Sequence, residues 1–129
     1  MTRPRPLSPC GRGSCVSTQA SRTDPLRRIE PLAFAATPET VMAAILTVLG
    51  RTAGARILER DAVAVHAVLR SRWLRLPVDV ELRVDAASDT AAGVVHLRVA
   101  APLALREGTA ARARALGLLA ALDREIRRG

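Results

Sequence analysis

The longest unbroken alternation of apolar and other residues spans positions 74–85. Leu74, Leu76, Val78, Val80, Leu82 and Val84 fall on one side, and Arg75, Pro77, Asp79, Glu81, Arg83 and Asp85 on the other. A period of two predicts a strand with one face on a core and the other open. Residues 62–70 repeat the pattern, with Val63, Val65, Ala67 and Leu69 inward and Ala64, His66, Val68 and Arg70 outward. Residues 94–101 do so again, with Val95, Leu97, Val99 and Ala101 inward and Val94, His96, Arg98 and Ala100 outward. A further strand at 55–59 precedes them. It is joined by a turn at Arg60-Asp61, which lacks the glycine that tight hairpins favour.

Two segments have helical spacing instead. Thr37-Pro38-Glu39 combines an N-cap hydroxyl, proline in the first turn and an acid that meets the helix dipole. Val41, Ala44, Ile45, Val48 and Leu49 then line one face, and Gly50 and Gly54 mark the end and the return. From about Thr109, residues Ala111, Ala115, Leu118, Leu119, Leu122 and Ile126 share a face, with arginines opposite and in the last turn. Residues 28–34 form a short β-type run that Pro31 confines to an edge.

The predicted order is therefore β-α-β-β-β-β-α. It is an α+β fold, with an antiparallel sheet of about five strands and both helices on its dry face. Residues 1–27, rich in Arg, Pro, Ser and Gly, read as an extended arm, and 28–129 as one α+β domain.

Composition narrows the partners. All 20 basic residues are arginine, and lysine, asparagine and tyrosine are absent. The bias towards arginine and alanine is that of a GC-rich genome. The missing lysine excludes Schiff-base chemistry and a Walker-type phosphate loop, and no cofactor-binding motif is present. The net charge of +8 sits at the two ends, and residues 29–105 balance eight arginines against eight acids. With Phe34 and Trp73 as the only aromatics, specific nucleic-acid binding is not expected; a small-molecule or protein partner is left open. No apolar run approaches the roughly 20 residues of a membrane span. The first fifteen residues hold no apolar signal core, which points to the cytoplasm for the chain as written.

Two constellations carry candidate chemistry. Cys10 and Cys15 flank a glycine-containing loop and suit a disulfide or redox pair, half of a metal site, or two thiols kept reduced in the cytosol. A zinc site needs two further ligands, and no third cysteine exists. The second constellation is the open sheet face, where His66, Arg70, Asp79, Glu81, His96 and Arg98 project together. Such a set is either a ligand-binding patch or a cross-strand ion-pair ladder. The function these residues suggest is a non-enzymatic ligand-binding or protein-interaction module using that face and the cysteine loop. The alternative is a cysteine- or metal-dependent enzyme built on Cys15 with His66 or His96.

Leu7-Ser8-Pro9-Cys10, followed by Cys15-Val16-Ser17-Thr18-Gln19-Ala20, resembles the opening of a bacterial and plastid family known as domain of unknown function 1499. Ile29-Glu30-Pro31-Leu32, the strand from Pro77 to Leu82, the stretch from Arg98 to Pro102 and the arginine-rich last helix are similar to its later segments. The chain departs from the family where Val78 stands for the first aspartate of an acidic pair, leaving Asp79 and Glu81. It departs again where Val99, Ala101 and Pro102 replace polar residues beside Arg98. The resemblance implies the same α+β scaffold, with a thinned polar set and no established activity to carry over. In topology the order also resembles TATA-binding-protein-like and helix-grip arrangements, a likeness that carries no function.

Overall fold

A computed structural model of the chain describes residues 7–10, 15–70, 77–86, 92–101 and 108–128. Residues 74–76 of the 74–85 alternation, with 71–73 before them and 87–91 after that strand, lie outside the described residues. The elements in chain order are β1 (Cys15–Ser17), β2 (Leu32–Phe34), α1 (Pro38–Arg51), β3 (Ala55–Arg60), β4 (Ala64–Arg70), β5 (Pro77–Ala86), β6 (Gly93–Ala100) and α2 (Gly108–Arg128). This is the expected α+β order, preceded by one strand that the arm contributes.

The sheet is antiparallel, in the order β1-β6-β5-β4-β3, with β2 also pairing along β6. β2 faces the start of β6 (Phe34 opposite Gly93) and β1 its end (Cys15 opposite Ala100), so two short strands share one edge. The alternation of β5 is kept: Val78, Val80, Leu82 and Val84 are buried, whereas Asp79, Glu81 and Asp85 are half-buried on the other side. Those four join Val65, Ala67, Leu69, Val95, Leu97 and Val99 in a single core with the apolar faces of α1 and α2. Leu97 is fully buried there, so Leu97→Ala costs about 2–5 kcal/mol through lost burial and the cavity left behind.

Local chemistry sets the element ends. Thr37 Oγ1 accepts from the Thr40 N–H at 3.2 Å and caps α1, and Pro38 occupies the first turn. In the β3–β4 turn Asp61 Oδ1 accepts from the N–H groups of Val63 and Ala64, both at 2.8 Å, and so does the work of the missing glycine. Gly54, at φ 78°, returns the chain from α1 to β3; a Cβ there would lie 2.3 Å from the Arg70 carbonyl oxygen. The helices pack on one another and on the apolar side of the sheet, with an Arg51–Glu125 ion pair at 2.9 Å across their ends. Among the described residues no helix is long and apolar enough to cross a membrane.

Candidate functional site

The sheet register builds the polar face row by row, because directly opposed residues in antiparallel strands share a face. One row runs Glu59, His66, Glu81, Arg98, Ser17 across β3, β4, β5, β6 and β1. The row on one side carries Val68, Asp79, Ala100 and Cys15, and the row on the other carries Ala64, Arg83 and His96. Glu81 therefore lies directly opposite Arg98, and Asp79 lies diagonally, one row along. The Arg98 Nη1 reaches Asp79 Oδ2 at 3.1 Å and Glu81 Oε2 at 3.0 Å. His66 Nε2 lies 2.5 Å from Asp79 Oδ1, and the Ser8 hydroxyl donates to Glu81 Oε1 at 3.0 Å. Both carboxylates are thus engaged on both oxygens. Arg98 is 12% exposed, and its Nε is buried without a hydrogen-bond partner.

A second cluster lies one row along. His96 Nδ1 is 2.9 Å from Thr18 Oγ1, and His96 Nε2 is 3.4 Å from Asp85 Oδ2. Thr18 Oγ1 already accepts from the Leu97 N–H at 3.0 Å, so its own proton is free to point at the imidazole. Asp85 is held at 3.0 Å by Arg83. Burial pushes the His96 pKa below the ordinary imidazole value; Asp85 opposes the shift, while Arg83 and Arg28 add to it. A neutral ring that accepts from Thr18 and points its Nε2–H towards Asp85 satisfies all of these contacts. Hydroxyl, imidazole and carboxylate stand in the order of a nucleophile relay, but the hydroxyl belongs to a residue that is only 3% exposed.

The N-terminal segment crosses the edge of this face. Cys10 and Cys15 are joined in a disulfide of 2.04 Å, with Cys15 buried in β1. The Ser17 N–H donates to the Arg27 carbonyl at 2.7 Å and the Ile29 N–H to the Ser17 carbonyl at 3.2 Å, folding residues 18–28 into a loop against β1. Arg112 from α2 clasps that loop through the carbonyls of Pro25, Leu26 and Arg28 at 3.0, 2.8 and 3.3 Å. Between the loop and residues 7–10 lies a cleft of about 540 Å³. Leu7, Pro9, Cys10 and Ala20 give it apolar walls, and Ser17, Gln19, Asp24 and Arg27 its polar groups. Gln19 Oε1 accepts from the Leu7 N–H at 2.9 Å, and Asp24 and Arg27 pair at 3.5 Å.

Of the residues singled out in the sequence, His66, Asp79, Glu81 and Arg98 meet in one network. His96 belongs to the neighbouring Thr18–Asp85 cluster. Arg70 lies on the same face but is exposed at the end of β4, opposite Pro77, and joins neither cluster among the described residues. Among the described residues no three His, Cys, Asp or Glu side chains are placed to hold a metal ion. Thr18, Ser8 and Arg112 were not among the candidate site residues, because their roles come from contacts distant in the chain.

Taken together, both carboxylates are cross-braced, the cysteine sulfurs are bonded to one another and the relay hydroxyl is buried. The cleft between residues 7–10 and the 18–28 loop is the concave feature next to these groups. No curated protein and no solved structure matches the chain. The family model described as Protein of unknown function (DUF1499) matches residues 6–122, nearly the whole sequence, and the chain belongs to that family.

Proposed function

We propose that this domain is a non-catalytic binding module whose ligand occupies the cleft between residues 7–10 and the 18–28 loop. The observation that carries this reading is the cleft itself, which combines apolar walls with unsymmetrical polar groups beside a network whose carboxylate oxygens are engaged within the protein. Its volume falls in the range of small-molecule sites. Opposite charges at Asp24 and Arg27, next to Gln19, suit a small neutral or zwitterionic molecule with one apolar side. The cysteine-enzyme alternative lacks its nucleophile while Cys15 is bonded to Cys10, since a disulfide sulfur is not a thiolate. The same bond favours an oxidising compartment over the cytoplasm, where thiol pools keep such pairs reduced.

The test is a thermal-shift screen of small polar metabolites against the oxidised protein and against Ala20→Trp, which fills the cleft. A ligand at about one hundred times its dissociation constant adds about 2.7 kcal/mol to stability. The reading expects at least one compound to raise the melting temperature of the parent and not of the variant. Equal shifts in both proteins, or none in either, contradict it.

A further inference from the structure

The sheet edge opposite β1 and β2 is β3, and no strand among the described residues pairs with its outer side. Five of its six residues are exposed, including Ile57 at 39% and Leu58 at 48%. Arg56 and Glu59 on this strand have no ion-pair partner among the described residues. Bulges and charges commonly blunt such an edge against pairing. Here the bulge has a second effect.

β3 sets Arg56 opposite Val68 and, after the register shift between Ile57 and Glu59, sets Glu59 opposite His66. Val68 and His66 both lie on the open face, so Arg56 and Glu59 do too. An unbroken strand sends residues three apart to opposite faces; the one extra residue brings them to the same one. Two antiparallel copies of β3, related by a two-fold axis between Ile57 and Leu58, then place Arg56 of each copy against Glu59 of the other. The same register covers Ile57 with Leu58. A two-fold contact counts each favourable pair twice.

The backbone fits this register. Gly54 C=O accepts from the Arg70 N–H at 3.0 Å, and the Asp61 N–H donates to Ala64 C=O at 2.9 Å, so both flanks of β3 face β4. Alternation inward from those two ends turns the groups of Ala55, Ile57, Leu58 and Arg60 outward. Across the two-fold, Ala55 meets Arg60 and Ile57 meets Leu58, outward group against outward group.

We propose that β3 is the contact of a homodimer, an antiparallel edge-to-edge pairing that joins two sheets, with the Arg56–Glu59 pairs setting the register. The contact lies at the sheet edge away from the cleft, so it stands or falls independently of ligand binding. The test is sedimentation equilibrium of the oxidised chain up to about 500 µM, because a contact smaller than a standard interface is weak. The parent is expected to approach twice its 13.7 kDa mass. Arg56→Glu and Glu59→Arg each set like charges against one another and weaken association by about tenfold. An equimolar mixture of the two variants restores opposite charges at both pairs and recovers the dimer, which also shows that both variants fold. A parent that stays at the monomer mass, variants that associate as the parent does, or a mixture no tighter than its components each overturn the proposal.

Discussion

Thr18 Oγ1 and His96 Nδ1 lie 2.9 Å apart, and the contact locks the N-terminal segment to the last strand. Thr18 also exchanges two bonds with Leu97: its N–H donates to the Leu97 carbonyl at 2.9 Å, and its hydroxyl accepts the Leu97 N–H at 3.0 Å. Thr18→Val keeps the shape and leaves that buried N–H without an acceptor, which costs about 1–3 kcal/mol. Thr18→Ser retains the oxygen and is expected to lose much less. Urea denaturation of the two variants reads the difference directly.

His96 makes stability depend on pH. Its folded pKa lies below the unfolded value of about 6.5, so in between the unfolded chain binds more protons. The contribution is complete above the unfolded pKa and is lost as pH falls through the lowered folded one. Its slope is at most about 1.4 kcal/mol per pH unit. Denaturant midpoints measured downwards from neutral pH are expected to fall in that window, and to fall less in His96→Gln, which cannot protonate.

Arg98 binds two acids whose mutual repulsion it cancels. Arg98→Met leaves Asp79 and Glu81 on one face without their shared cation. Because Asp79 is 39% exposed, the loss is expected at about 1–3 kcal/mol, below that of breaking a fully buried pair. Adding Glu81→Gln to Arg98→Met removes half of the stranded charge. A double-mutant cycle is therefore expected to show the pair of substitutions costing less than the sum of the singles.

The disulfide closes a short loop, five residues from Cys10 to Cys15. Chain entropy alone assigns such a closure about 2 kcal/mol. Reduction by a dithiol is expected to lower stability by that order and to speed amide exchange in residues 7–10, which the Leu7–Gln19 and Ser8–Glu81 hydrogen bonds also tie down. Unchanged exchange after reduction shows that the two hydrogen bonds suffice to hold the segment.

The strands and helices were legible because their patterns are long. β5 and β6 alternate over eight residues or more, and the apolar face of α1 spans nine positions from Val41 to Leu49. β1 was not, since three residues are too few to establish a period, although Val16 is fully buried against Val99. The network of His66, Asp79, Glu81 and Arg98 followed from counting inward and outward positions. The partner of His96 did not, because Thr18 is brought to it by pairing across 78 residues. The cleft was equally hidden, being formed by a turn whose closure depends on Arg112 in the distant α2.

On this reading the cleft takes the ligand and the charge network braces it. Amide chemical-shift mapping of the isotopically labelled, oxidised protein with a compound from the thermal screen tests both halves at once. Saturable shifts are expected in residues 7–10 and 17–27, with the amides of His66, Asp79 and Arg98 left in place. Shifts centred instead on the β4–β5–β6 face, around His66 and Asp79, contradict it.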